Sequence, residues 1–579
     1  MKKQYPRLAS DGDDADLLGT GAFEDARPPK QIHMQPCKPG KKRRDHLSPK
    51  RIWRPVFSVI MFLLIATTAT DKTSFAVDIK VLETNIRSGV HDANPAVGVT
   101  DNVLPAGFSL RKIAEGNDPI ENPSGLITLF GLLSTGARTE PDENTYLVLD
   151  HNPGGPTAGF DYGRRFLFQG HENSGDLAYV TRINLDVLDP LHRITLLTPV
   201  DPTDGLTHFN SIDGSTWNPS TKTLLFTQES STVGGVIEVN PEWGTAGFPR
   251  TLYGILGRGG YEGIHPDNHG NLIIIEDIGG TRVSIDPNNP GGATKTAANP
   301  NSFVYRFVPN NITDLSAGGK LQALQVSIDG QAVQFVAVDA THPFGDVFST
   351  NQLKLHTPGS SWPVQWVTIH DTAVDGTADF NATAAAKTAG ATPFKRPENA
   401  QFLPGSNFKT FFFDATGDTD APAGNVPALA ARGSWGSIFR VDLDDDLNTG
   451  KISIVVLGDQ FHAGFDNLTF ADNSVLLAGE DRGDTLHDQL NILDSVWAFD
   501  VTKKNAQDAR LIALGRDPLA APSGEEDNEP TGLHFSDGDA SVSGLIGTQP
   551  LNPGLSCLFV TQQHGENVVW EVIGSHLSQ

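Results

Sequence analysis

A pair of short apolar strands recurs six times along the chain, and that recurrence restricts the possible folds more than any other feature. The first member of each pair ends in acidic or polar residues, at 165–172, 224–229, 272–277, 411–414, 475–481 and 558–564. The second members follow at 179–186, 236–240, 304–308, 438–443, 496–500 and 568–572. Most pairs are preceded by a strand opened by an acid: Glu262 in 261–264, Glu398 in 397–402, Asp466 in 465–470 and Glu529 in 529–535. Asp213 in 213–217 is a poorer match, and the opening strand of the first unit is placed near 122–127.

These runs are β-branched and aromatic, bounded by Gly, Asn, Asp and Pro, and no stretch after residue 77 sustains a helical period. The chain is therefore read as all-β. A strand triplet repeated with turns between its members is the pattern of a β-propeller blade, and the count predicts six blades. Blades of about 45 residues use only about 270 of them, so long insertions are required. They are expected at 287–301, 371–393 and 417–431. The 139-residue spacing between 272 and 411 leaves room for a seventh blade.

Charge divides the chain in two. The formal total of −26 conceals a head, residues 1–76, with 14 Lys+Arg against 8 Asp+Glu. The remaining 503 residues hold 29 against 61. A field of that sign repels phosphodiester backbones and anionic lipid, so nucleic-acid binding is not expected and cation binding is. Within the head, residues 1–40 read as a disordered extension. The basic run Lys41-Lys42-Arg43-Arg44 leads to the apolar run 56–66 and then to small residues ending at Ala76. That order is an export signal over 41–76, with a twin-arginine pattern at Arg43-Arg44. The apolar run is too short for a stable membrane span, which needs about 20 residues. The expected product is a periplasmic or extracellular monomer, with one propeller domain over 77–579. Of two cysteines, Cys37 and Cys557, only one lies outside the head, which excludes an intrachain disulfide in the exported part and a cysteine-based zinc site.

Blade strands run radially, so residues at one fixed place in the repeat gather at one mouth of the channel. Here that place is acidic. Glu262, Glu398, Asp466 and Glu529 open inner strands, while Glu172, Glu229, Glu276, Asp277, Glu480 and Asp481 close the adjacent ones. Gathered carboxylates repel, and each one left unpaired in a partly dry channel costs several kcal/mol or takes up a proton. A multivalent cation removes that cost. Oxygen donors suit calcium, magnesium or manganese, whereas His171, His462 or His564 would admit a transition metal. Taken singly, an acid at a strand end is an ordinary turn former, and only the recurrence in register raises the set above its members. Arg396, two residues before Glu398, either neutralises a neighbouring carboxylate or grips a phosphate with its planar fork.

At these strand ends the sequence resembles the PhoX-type alkaline phosphatases, exported propellers that use iron together with calcium. Gly170-His171-Glu172-Asn173 resembles that family's Asn-His-Glu segment, and Gly214-Ser-Thr-Trp217 through Thr227-Gln228-Glu229 resembles its Gly-Thr-Trp-Leu-Thr-Cys-Glu-Glu stretch. Tyr261-Glu262-Gly263 is similar to its His-Glu-Gly, and Arg396-Pro397-Glu398 to its Arg-Pro-Glu. Glu529-Pro-Thr-Gly532 and Gln563-His-Gly-Glu566 are similar to its C-terminal Glu-Val-Thr-Gly and Gln-His-Pro-Gly-Glu. The resemblance implies a phosphomonoesterase for small phosphorylated substrates, with Glu229, Glu262 and Glu398 as metal ligands and Arg396 on the phosphate. With the carboxylates in register, the candidate ligand set is Glu172, Glu229, Glu262, Glu398, Asp466 and Glu529. Three departures bear on the metal: Gln228 stands where the family has cysteine, Ser230 where it has a second glutamate, and Tyr261 where it has histidine. Without the soft thiolate, calcium is expected and iron is not favoured. Two other functions fit an acid-lined propeller channel, a calcium-dependent lactonase or esterase and a non-enzymatic calcium-fastened binding propeller. The sequence contains no serine-nucleophile elbow, Walker-type loop or dinucleotide fingerprint.

Overall fold

The computed structural model describes residues 102–104 and 108–574, apart from 286–295, 472, 491, 503–506, 516–527 and 536–557. The extension at 1–40, the export signal at 41–76, both cysteines and most of the insertion at 287–301 lie outside the described residues.

The repeated strands form antiparallel sheets that follow one another along the chain. The first blade is Glu140–Val148, Arg165–Glu172, Tyr179–Asn184 and Ile194–Leu196. The second is Ile212–Asn218, Thr223–Gln228, Gly235–Val239 and Arg250–Thr251. Tyr261–Pro266, Leu272–Glu276, Val304–Pro309 and Gly319–Ile328 make the third. Ala400–Phe402, Thr410–Ala415, Ser437–Leu443 and Thr449–Leu457 make the fourth. The fifth is Phe465–Phe470, Val475–Glu480, Ser495–Asp500 and Gln507–Ala513. In the sixth, Glu529–Phe535, Leu558–Gln563 and Val568–Gly574 are completed by Phe108–Ala114, a strand from the other end of the described chain.

Why the middle strands are almost wholly apolar, instead of alternating, follows from the packing. Each blade is covered on both faces by its neighbours, so residues of both parities are buried. Phe411 and Phe413 pack with Ile273, Ile275 and Val304 of the third blade, while Phe412 between them packs with Phe465, Leu468 and Leu476 of the fifth. Leu224 and Phe226 face Phe166 and Phe168 of the first blade, and Leu225 faces Ile264 and Leu272 of the third. The sixth blade turns Leu558 and Val560 to the fifth and Phe559 to Leu167 and Ile183 of the first. Each junction between neighbouring blades thus has an apolar cluster, including the one that closes the ring. Replacing Phe412 by alanine is expected to cost about 3–5 kcal/mol. The check is a lowered denaturant midpoint at unchanged slope in equilibrium unfolding.

Two expectations are corrected. The opening strand of the first unit is Glu140–Val148. Residues near 122–127 form a small separate hairpin, Pro119–Ser124 with Ile127–Leu129. The run Glu140-Pro-Asp-Glu-Asn144 reads as a turn because its acids interrupt the apolar pattern. The 139-residue spacing holds no further blade among the described residues. It carries the third blade's own outer strands, short helices, and the strand Trp362–Asp371. That strand pairs with Gly319–Ile328 on one side and Thr449–Leu457 on the other, so it joins the rims of the third and fourth blades. The Ala/Thr-rich insertion contains the helix Ala382–Thr388, capped by the Asn381 side chain accepting from the Ala384 N–H. Thr383 on that helix donates to the buried Glu276 at 2.6 Å, which fastens the insertion to the third blade. No helix among the described residues is long and apolar enough to cross a membrane.

Candidate functional site

The acids that open inner strands are aimed into the channel by a repeated backbone irregularity. In the first, second, third and fifth blades the ladder between inner and second strand skips two residues, between Pro141 and Asn144, Ile212 and Ser215, Tyr261 and Ile264, and Phe465 and Leu468. A bulge of this kind turns side chains out of the pleat. The turned residues include Asp142, Asp213, Glu262 and Asp466. Adjacent inner strands lie so close there that two of the skipped positions have no space for a side chain. A Cβ at Gly214 would stand 2.3 Å from the Glu262 carbonyl oxygen, and one at Gly263 would stand 2.7 Å from Asn399 Oδ1.

The acids that end second strands obey the period of two. In each pair of end residues the first points between blades and the second into the mouth. His171 donates to or accepts from Thr181 at 2.8 Å and stacks on Tyr179, while Glu172 joins the carboxylates. Glu276 accepts from Tyr305 and Thr383, and Asp277 joins the carboxylates. Glu480 pairs with the buried Arg482, and Asp481 joins them. Gln228 donates to the Asn210 carbonyl at 3.0 Å and accepts from Tyr253, lining a side cavity of about 450 Å³, and Glu229 joins them.

The result is a chain of overlapping acidic sets. Asp142, Glu172 and Asp213 form one; Asp213, Glu229 and Glu262 a second; Glu262, Asp277 and Glu398 a third; Asp466, Asp481 and Glu529 a fourth. Within each set the ligand oxygens lie within 4.8 Å of one another. All six carboxylates expected from the sequence stand in these sets, together with Asp142, Asp213, Asp277 and Asp481. Asp142 was hidden by the misplaced first strand and Asp213 by its weak match to the repeat. Gln563 belongs here too, donating to Asp142 at 3.0 Å and Glu172 at 3.4 Å. Beneath the mouth the channel is filled by polar side chains. Glu143 of the first blade accepts from the Ser215 N–H of the second at 2.6 Å and from the Asn399 amide of the fourth.

Electrostatics here is dominated by burial, with mutual repulsion second. Desolvation and neighbouring carboxylates push Asp142, Glu172, Asp213, Glu262, Glu398 and Glu529 well above the usual carboxylate range. Glu229 is pushed up to about 8, by burial first and then by Asp277, with Arg396 opposing. Asp213 hydrogen-bonds Glu262, and Asp466 hydrogen-bonds Glu529, contacts that two carboxyl groups make only when one holds a proton. Asp277 Oδ1 is buried and has no hydrogen-bond partner among the described residues. These groups fit a hard multivalent cation, whose charge would replace the shared protons and whose vacant coordination would take the orphaned oxygen.

Arg396 lies at the same mouth with φ of 51°, a left-handed conformation uncommon for a residue with a side chain. Its Nε donates to Asp277 Oδ2 at 2.7 Å, and Nη2 lies 3.6 Å from Glu398 Oε1. Burial opposes its charge, but Asp277 and Glu398 outweigh that and push its pKa further up. With Nε occupied by Asp277, the Nη2 end of the fork lies beside Glu398.

The histidines considered as transition-metal donors belong to none of the acidic sets. His171 is a core residue, as the strand alternation requires. His462 sits between Asp459 at 3.1 Å and Asp508 at 3.0 Å, and these contacts raise it to about 9 against its desolvation. His564 approaches Glu140 at 3.8 Å. Gln228 turns into the side cavity, away from the carboxylates, with its amide bonded to Asn210 and Tyr253. Tyr261 is buried and donates to the Leu256 carbonyl at 2.7 Å.

A closed ring of antiparallel blades with carboxylates and one arginine at a single mouth defines a propeller protein with a candidate cation centre. Residues 280–541 match the family described as alkaline phosphatase PhoX. The matched span contains Arg396, Glu398, Asp466, Asp481 and Glu529. Comparison with the curated proteins gives no match. Among solved structures, Pseudomonas fluorescens PhoX in complex with vanadate, a transition state analogue, is 12% identical, with 84% of this chain and 98% of that chain covered and a TM-score of 0.48. TolB from Acinetobacter baumannii is 10% identical over 75% of this chain and 64% of its own, at a TM-score of 0.28. A calcium structure of Trichoderma reesei Carbohydrate-Active Enzymes Family AA12 is 12% identical over 83% and 99%, at 0.26.

Proposed function

We propose that the chain is an exported, metal-dependent phosphomonoesterase acting on small phosphorylated substrates. The observation that carries this reading is one arginine fork beside overlapping carboxylate sets at one mouth of the channel. The PhoX family match over 280–541 supports it. Glu172, Glu229, Glu262, Glu398, Asp466 and Glu529, with Asp142, Asp213, Asp277 and Asp481, are the proposed ligands. The cations supply Lewis-acid polarisation of phosphoryl oxygens and a bound water of lowered pKa.

The residues of the chain do the rest. Arg396 receives the phosphate on its Nη edge and holds the ester for in-line displacement, while Asp277 fixes the guanidinium plane through Nε. The buried hydrogen bonds of Glu143 to Ser215 and Asn399 tie the inner strands of the first, second and fourth blades together around the site. Donors at that mouth are oxygen alone, which favours calcium over iron. The basic-then-apolar order of 41–76 supports export.

The test is elemental analysis of protein purified without chelator, together with hydrolysis of an aryl phosphate across added calcium. Calcium at more than one equivalent, negligible iron, and activity that rises with calcium are expected. Bound calcium without hydrolysis of any phosphomonoester would instead support the non-enzymatic propeller, in which Arg396 only balances Asp277.

A further inference from the structure

We infer that the buried Lys395–Asp418 pair is the positioning device for Arg396, an inference that rests on the phosphomonoesterase reading. Lys395 Nζ donates to Asp418 Oδ2 at 2.8 Å, with side-chain exposures of 3% and 0%. The second oxygen of Asp418 accepts from the Ala298 N–H at 2.7 Å, its own N–H donates to the Ser434 carbonyl at 3.0 Å, and its carbonyl accepts from Arg282 at 3.1 Å. Asp418 is therefore held through both carboxylate oxygens and both backbone groups and acts as a fixed post.

The segment it holds needs holding. Arg396 has a positive φ and is followed by Pro397, which narrows the backbone choices of the residue before it. A conformation of that kind persists only where the surroundings over-determine it. They do so here on every side. Phe394 exchanges backbone hydrogen bonds with Ser302 at 2.8 and 3.3 Å, the Arg396 carbonyl accepts from the Thr416 N–H at 2.8 Å, and Lys395 is tied by its side chain. Thr416 and Asp418 belong to one short loop, so the carbonyl of Arg396 and the side chain of the preceding residue are held by the same piece of chain. A buried ion pair adds little net stability beyond a well-packed apolar pair. Its contribution here is geometric: it fixes where the strained residue begins, and Asp277 fixes where its guanidinium ends.

The double variant Lys395→Met/Asp418→Asn removes the pair while leaving an oxygen for the Ala298 N–H. Its KM for an aryl phosphate and its Ki for inorganic phosphate are expected to rise at least tenfold, with calcium content unchanged, since small misplacements of a binding group cost one to two orders of magnitude. A purely structural pair would lower the melting temperature and leave KM and Ki where they were, and that result overturns the inference. Should the double variant fail to fold, Asp418→Glu displaces the pair at constant charge, and a wild-type KM and Ki in that protein overturns it equally. If the unaltered protein neither hydrolyses the ester nor binds phosphate, the functional reading fails. If the unaltered protein does both, Arg396→Ala does neither, and the double variant matches the unaltered protein, the positioning role alone fails.

Discussion

Arg396→Ala is expected to lower kcat/KM for an aryl phosphate by roughly a thousandfold, the low end of what an arginine on a transferring phosphoryl group contributes. Among the described residues the side chain is the cation that pairs with the acidic sets, through Asp277 at 2.7 Å and Glu398 at 3.6 Å. Removing it takes the anion-binding fork out of a field that otherwise repels phosphate. It also frees Asp277 to act as one more ligand oxygen, so metal content should hold or rise slightly. Arg396→Lys should recover little, because an ammonium cannot serve Asp277 and a phosphate with two edges of one plane. Steady-state kinetics beside elemental analysis checks this. Unchanged turnover in Arg396→Ala would remove the phosphate-gripping role.

Chelation is expected to have the second large effect, and its size should depend on pH. Without cations the buried acids keep protons that the unfolded chain has already lost. Glu229 illustrates the sign: its pKa is raised in the fold from 4.5 to about 8. The stability associated with such a group is full below about 4.5 and is lost as pH rises through about 8. A shift of that size in one group amounts to roughly 5 kcal/mol, and several of its neighbours move in the same direction. Chelated protein should therefore melt about 10 °C lower at pH 8 than the calcium-loaded form, with the gap closing near pH 5. Thermal melts of both forms at the two pH values measure it. A chelated protein whose melting temperature does not fall between pH 5 and 8 would contradict the crowding of the carboxylates.

Much of this architecture was legible in the residues because a blade must bury both faces of its middle strands, and runs such as Leu272–Glu276 or Phe411-Phe412-Phe413 have few other uses. The acids at strand ends were legible for a related reason, since charge at one place in a repeat survives only where geometry accommodates it. What stayed hidden was set by irregularity. Asp142 sits in a bulge whose neighbours, Pro141, Glu143 and Asn144, imitate a turn, and the strand Trp362–Asp371 has no counterpart in the other units. The choice between the two residues at each strand end also needed the ladder register. Once Tyr261 is seen opposite Glu276, alternation places Asp277, and not Glu276, at the mouth.

Phe108–Ala114 seals the last blade by lying along Val568–Gly574, with Phe108 opposite Gly574 and Val569 opposite Ala114. Until the final strands emerge, the nascent polypeptide can form no more than an open horseshoe. The acids of the mouth are divided in the same way, with Asp142 and Glu172 among the earliest to be made and Glu529 among the latest. A truncated product lacking the last two strands would therefore leave the ring unsealed and exposed to proteases.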